Sequence, residues 1–399
     1  MNKYLDRISL DLVEVNLENY WPSFRLVAFA LYDNRHVYLY NHPKFKSNQQ
    51  NTYQILKRNH QFNGCTLILY EEYPTAIVDM ELYDNYELLF SIVTHELFHG
   101  FQYVKGESRF PDEMMGITYP LSEENVELRN RERVILYDAL LEGDLFKKIQ
   151  YLRTFVTLRE RRAANINDYL TYENLIETIE GPAWYVELKA YSEKSTLEYE
   201  SIVKKYGKDL IDKFDSTLDL RKSCYSSGMV MCLLLDDFLP DWKESFWDNK
   251  ETLYDLIKHV SDNYETIHNV EITAETEDII NFVRQQRKYS FENFEQQKGI
   301  NLFIEGEIEA VSFDPMNIVP LEDRLLHKNF IKVRINNIDY LFQQPVIAHC
   351  IEGVRNITRL HLILQENPIE NIDSLTVDGI GEIKGRYKKQ ENGIRLFVN

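Results

Sequence analysis

From Ser91 to Gln102 the chain reads Ser-Ile-Val-Thr-His-Glu-Leu-Phe-His-Gly-Phe-Gln, a His-Glu-x-x-His pattern built by His95, Glu96 and His99. At about 100° per residue of helix, His99 lies about 40° round from His95 and Glu96 about 100° round, so all three share one side. Two imidazoles one turn apart can bind one metal ion in common. A carboxylate beside them reaches a water on that ion, and zinc lowers the pKa of such a water to about 7, where the carboxylate can take its proton. Leu88, Leu89, Phe90, Ile92, Val93, Leu97, Phe98 and Phe101 surround the pattern with apolar side chains on nearly every side, the mark of a buried helix. Buried imidazoles and a buried carboxylate need partners, and a metal site supplies them together. The competing reading is a pair of satisfied core histidines.

An open tetrahedral zinc site needs a third protein ligand. No histidine lies between His99 and Lys258, so the candidates are carboxylates. The segment Glu177-Thr178-Ile179-Glu180-Gly181-Pro182-Ala183-Trp184-Tyr185-Val186-Glu187 resembles the Glu-Gly-x-Ala-x-Tyr-x-Glu signature with which gluzincin metallopeptidases present that ligand. The resemblance implies a His95, His99, Glu180 site. Cys224-Tyr225-Ser226-Ser227-Gly228 resembles the Tyr-x-x-Gly helix start of gluzincin aminopeptidases, which implies that the Tyr225 hydroxyl stabilises the oxyanion of the tetrahedral transition state. The three segments follow the family's order along the chain. Two features depart from it: 81 positions separate Glu180 from His99, and the Gly-x-Met-Glu-Asn strand of those aminopeptidases is absent, so their specificity is not carried over. Leu141-Glu142-Gly143 offers a second Glu-Gly pair, which makes Glu142 the rival third ligand.

These residues need elements to bring them together. Residues 1–83 read as a small mixed α/β subdomain, with Arg25 to Tyr32 and His36 to Tyr40 flanking an Asp33-Asn34 turn, and with strand candidates at Cys65 to Tyr70 and Thr75 to Met80. The last of these is either the edge strand on which a zincin lays a peptide or an ordinary core strand. Residues 84–299 carry a helical period and form the catalytic region. A helix-like insertion over about 121–179 must fold back to deliver Glu180, and Pro182 is expected to break or begin a helix there. Glu187 either orients a ligand histidine or is a solvated carboxylate. Arg159-Glu160-Arg161-Arg162 reads as a solvated helix face. Residues 300–399 read as a β-rich domain, with hairpin turns at Asn336-Asn337 and Asn392-Gly393.

Composition limits the partners. The 399 residues carry 45 Lys and Arg against 64 Asp and Glu, a net charge of −19, which repels nucleic acid and anionic membranes. No run approaches the ~20 apolar residues of a membrane span, and the N-terminus lacks the apolar stretch of a signal peptide. Cys65, Cys224, Cys232 and Cys350 are scattered without Cys-x-x-Cys spacing, as expected of reduced thiols in a cytoplasmic protein.

The expectation is an α+β fold: a zincin-like metallopeptidase core, made of a small mixed sheet plus a mainly helical region, with a C-terminal β-rich domain. The expected reaction is hydrolysis of a peptide or protein substrate with one zinc ion, Glu96 as general base and Tyr225 at the oxyanion. The alternatives are a zinc hydrolase of a non-peptide amide or ester, and a zincin scaffold that holds metal without turnover.

Overall fold

Asp33 Oδ1 accepts hydrogen bonds from the backbone N–H groups of Arg35 and His36, both at 2.7 Å, and so closes the turn between β1 (Ala28–Tyr32) and β2 (His36–Tyr40). The computed structural model describes residues 2–45 and 52–398. The two strands pair antiparallel, and Phe29 stacks on its cross-strand partner Tyr40 at 4.3 Å. With β3 (Gln54–Lys57), β4 (Thr66–Tyr70) and β5 (Tyr73–Asp79) they form a sheet of order β3-β2-β1-β5-β4. β5 runs parallel to β1 and antiparallel to β4. The strand expected over Thr75 to Met80 is therefore an interior strand, and β4 is the edge.

Helices fill the rest of this part of the chain: α1 (Asn2–Glu14), α2 (Tyr86–Val104), a single short turn α3 (Met114–Ile117), α4 (Glu123–Leu141), α5 (Leu145–Lys194), α6 (Tyr199–Gly207), α7 (Lys213–Leu218), α8 (Leu220–Phe238) and α9 (Leu253–Ser261). Trp21 anchors the core between sheet and helices: it is fully buried, with Phe98 and Trp242 each 5.1 Å away and Phe246 at 5.5 Å. Among the described residues no helix is long and apolar enough to cross a membrane.

The chain divides into two compact units rather than at residues 83 and 299. The first comprises 1–111 and 124–272, so the N-terminal sheet and the helices share one core; the second comprises 112–123 and 273–399. α10 (Ala274–Glu295) belongs to the second unit because Phe291 and Phe294 of its apolar face pack with Leu326, Ile347 and Ile363 of the β structure. The central strand there is β6 (Ile300–Phe313), followed by β7 (Ile318–Leu321), β8 (Arg324–His327), β9 (Ile331–Ile335), β10 (Ile338–Phe342), β11 (Val346–Cys350) and β12 (Asn356–Leu364) in the order β10-β9-β6-β12-β11-β8-β7. A small sheet joins β13 (Ile369–Glu370), β14 (Ser374–Val377) and β15 (Gly381–Lys384); β16 (Arg386–Gln390) pairs with β17 (Gly393–Phe397), which returns to β6. Asn336 and Asn337 both have positive φ, 50° and 63°, the geometry a two-residue β9–β10 turn demands. The last hairpin turns one residue earlier than expected, at Glu391-Asn392, with Gly393 already paired to Gln390.

His327 on β8 is 1 % exposed, and neither ring nitrogen has a hydrogen-bond partner among the described residues. Burial pulls its pKa down from 6.5 to about 4. The ring is neutral in the folded state while the unfolded chain takes a proton near 6.5, so its contribution is complete above that pH and is lost as pH falls towards 4, about 3 kcal/mol in all. Hydrogen exchange of the β8 and β11 amides should therefore accelerate between pH 6.5 and 4, after correction for intrinsic rates, far more in the wild type than in His327→Leu. Equal acceleration in both would refute this.

Candidate metal centre

Asn85 caps α2 by accepting from the Leu88 N–H, and the helix then runs buried against the sheet. Gly100 permits that approach, since a Cβ there would sit 2.4 Å from Val27 Cγ2. α5 packs beside α2 and against α8, and the α5–α8 crossing is a backbone contact: a Cβ on Gly181 would lie 2.5 Å from the Gly228 carbonyl carbon. Contrary to expectation, α5 passes through Pro182 without a break. Its one non-helical residue is Ile166, at φ −134° and ψ 34°. Glu180 is thus presented from a helix interior, one residue before the glycine that sets the crossing.

His95 Nε2 and His99 Nε2 lie 3.1 Å apart, and Glu180 Oε2 lies 3.8 Å from the first and 3.3 Å from the second. His95, Glu96 and Glu180 are each less than a tenth exposed. Of the other ring nitrogens, His99 Nδ1 donates to Gln102 Oε1 at 2.7 Å, while His95 Nδ1 sits 3.0 Å from Glu187 Oε2 without a hydrogen bond between them. Gln102 in turn donates to the Ile179 carbonyl at 2.8 Å, which ties α2 to α5 one residue before Glu180. Tyr206 donates to Glu187 Oε1 at 3.3 Å. Arg221 Nη2 donates to Glu180 Oε1 at 2.9 Å, leaving Oε2 to face the histidines. The bond at Nδ1 leaves His99 Nε2 for a ligand, and His95 Nε2 faces the same point. This buried His95, His99, Glu180 group could hold a metal ion.

The electrostatics follow from burial and proximity. Burial lowers the pKa of His99, but the Glu180 carboxylate more than offsets it and the imidazole rises to about 9. Glu180 feels the reverse: burial raises it, and His99, His95 and Arg221 bring it down to about 2. Burial raises Glu96 above the usual carboxylate range against the pull of the two histidines, with Glu180 and Glu187 adding to the rise. Its Oε2 has no hydrogen-bond partner among the described residues. Burial and the Glu180 charge raise Tyr225, which keeps its proton and hydrogen-bonds Glu180.

Five expected residues, His95, Glu96, His99, Glu180 and Tyr225, meet here. The rival Glu142 does not: it lies just past the end of α4, where its carboxylate accepts from the Gly143 and Asp144 N–H groups, and it is outside the cluster. Glu187 is no solvated carboxylate, since its side chain is 12 % exposed and touches His95. Gln102, Tyr206 and Arg221 escaped the sequence reading; for Gln102 the signal was its place three residues after His99, on the same helix face. Arg159 and Arg162 also differ from expectation. Both are buried: Arg159 pairs with Glu132 and Glu177, and Arg162 with Glu132 and Glu173.

Comparison with known proteins found no match to the chain: no family model, no curated protein and no solved structure.

A metal ion must displace the proton that His99 carries below pH 9. Calorimetric titration with a divalent ion at pH 7 should give one site per chain and release of about one proton, read from the dependence of the heat on buffer ionisation. Apparent affinity should rise about tenfold per pH unit up to about 9 and fall sharply in His99→Ala and Glu180→Gln, with Glu142→Gln unchanged. Binding insensitive to pH would place the ion elsewhere.

Proposed function

We propose that the chain is a zinc-dependent peptidase of gluzincin type, with a zincin-like core formed by the β3-β2-β1-β5-β4 sheet and helices α2, α5 and α8. The observation that carries this reading is the convergence of His95 Nε2, His99 Nε2 and Glu180 Oε2, with His99 Nδ1 bonded to Gln102 and His95 Nδ1 facing the Glu187 carboxylate. Their separations of 3.1, 3.3 and 3.8 Å bracket the ~3.3 Å edge of a tetrahedron built on bonds of ~2.0–2.1 Å, the zinc–nitrogen length. Three protein ligands among the described residues leave a fourth position for water and substrate, as a catalytic rather than a structural site requires.

A zinc ion bound there supplies Lewis acidity and lowers the pKa of water to about 7. Glu96 would take a proton from the attacking water and return it to the leaving amine; its raised pKa brings it nearer to neutrality, where a group serves best in both directions. Tyr225 keeps its proton and donates to the oxyanion. Arg221 fixes the orientation of Glu180 and Gln102 that of His99, while Glu187 places a carboxylate against His95. A peptide substrate, rather than a simple ester, is favoured by β4, which among the described residues is an edge strand of the sheet and packs against α2. An extended peptide can add to such an edge through its backbone.

Digestion of peptide libraries followed by mass spectrometry should reveal cleavage that needs the metal. Glu96→Gln is expected to bind the ion as the wild type does and to lose at least about a hundredfold in turnover, within the range for a general base. Tyr225→Phe is expected to keep the ion and lose about 10²–10³ in kcat. Normal turnover by Glu96→Gln would end the mechanism, and hydrolysis confined to esters would end the peptidase reading.

A further inference from the structure

The second unit holds a cavity of about 520 Å³ between α10 and the β7–β8 hairpin. Its walls carry Arg284, Arg287 and Lys288 of α10 and Arg324 at the start of β8, against a single acid, Glu322 in the hairpin turn. Four cations facing one carboxylate is an inversion in a chain of net charge −19. Their pairing is also uneven. Lys288 reaches Glu292 at 3.6 Å, and Arg324 reaches Glu295 at 3.5 Å while lying over the Phe291 ring at 4.8 Å. Among the described residues no carboxylate lies within ion-pair distance of Arg284 or Arg287.

Arg287 is the informative member. It is half-buried, and burial together with the charge of Arg284 works against its protonation. A guanidinium withdrawn from water without a counter-ion is costly, and a second cation one turn away on the same helix adds to that. An anion entering the cavity would remove both penalties at once. Two forks and an ammonium suit an oxyanion with two charges and several acceptor oxygens, which points to phosphate over a single carboxylate. The opposite wall, Pro320 and Leu321, is apolar and gives an organic substituent a surface.

We propose that this cavity is a binding site for a phosphate monoester, held by Arg284 and Arg287 with Lys288 and Arg324 at the rim. It is independent of the His95, His99, Glu180 group, and its test is made without metal. Calorimetric titration of the full chain in EDTA uses glycerol 3-phosphate, with glycerol as the uncharged control. Vesicles of phosphatidylcholine containing phosphatidate present the same monoester on a membrane. The expected result is saturable binding of one ester per chain, none of glycerol, and affinity about tenfold or more weaker in both Arg284→Gln and Arg287→Gln. Because each substitution relieves repulsion, both variants should melt no lower than the wild type, and the upward shift that the ester gives the wild type should vanish in them. Capture by vesicles that the same substitutions abolish would also support the site and identify a lipid as the source. No saturable binding to either form, or binding unchanged in the double variant, would overturn it.

Discussion

One helix face dominates the first unit: α5 carries Glu173, Glu177, Glu180 and Glu187 in a row that the fold takes almost wholly out of water. Carboxylates so placed must find positive charge or stay protonated. The N-terminal pair finds it in arginine. Glu173 pairs with Arg129 and Arg162, Glu177 with Arg159, and Glu132 from α4 joins them, three acids against three guanidinium groups. The C-terminal pair faces two imidazoles and one arginine. Imidazoles supply positive charge only with a proton or a metal ion, and the upward displacement of His99 expresses that demand. The candidate metal centre is thus the end of a row of buried carboxylates whose other end is already paired with arginine.

The same helix bears a second constraint, because Gly181 and Pro182 sit in its interior. Glycine and proline there cost about 1 and 3 kcal/mol in helix propensity. Packing has to offset that, and the backbone contact with Gly228 gives the reason for the glycine: without it α8 could not come near enough to bring Tyr225 to Glu180. Ser227, beside that glycine, donates to Glu177 Oε1 at 2.6 Å, so the row of carboxylates and the crossing hold the same two helices in one register. The side chains that can do chemistry depend on both.

What was legible in the sequence had local causes. His95, Glu96 and His99 announce themselves within five residues, and Asn336-Asn337 declares its turn because few side chains tolerate positive φ. What was not legible depends on long-range burial. Arg159 and Arg162 look like a solvated face until α4 covers them with Glu132. Pro182 looks like a helix break because local rules weigh the missing N–H and not the packing around it. α10 has the helical period of the region before it, yet its phenylalanines belong to the β core that follows. The heptad spacing of Glu173, Glu180 and Glu187 was a readable sign that one face of α5 gathers charge, but only the fold shows that face turned inward.

The balance of charge also bears on whether the centre acts or merely holds. A structural site needs only ligands. Glu96 is not placed to be one: it stands outside the three-residue cluster, buried, with an oxygen that meets no donor among the described residues and a pKa raised by its surroundings. Such a group is costly to ionise, first because it is withdrawn from water and then because Glu180 and Glu187 add to the opposition that the two histidines relieve. Perturbed carboxyl groups of this kind cluster at functional sites. In the proposed mechanism the function is that of a base beside a metal: the environment that makes ionised Glu96 unfavourable is the one that would make it ready to accept a proton and able to give it back.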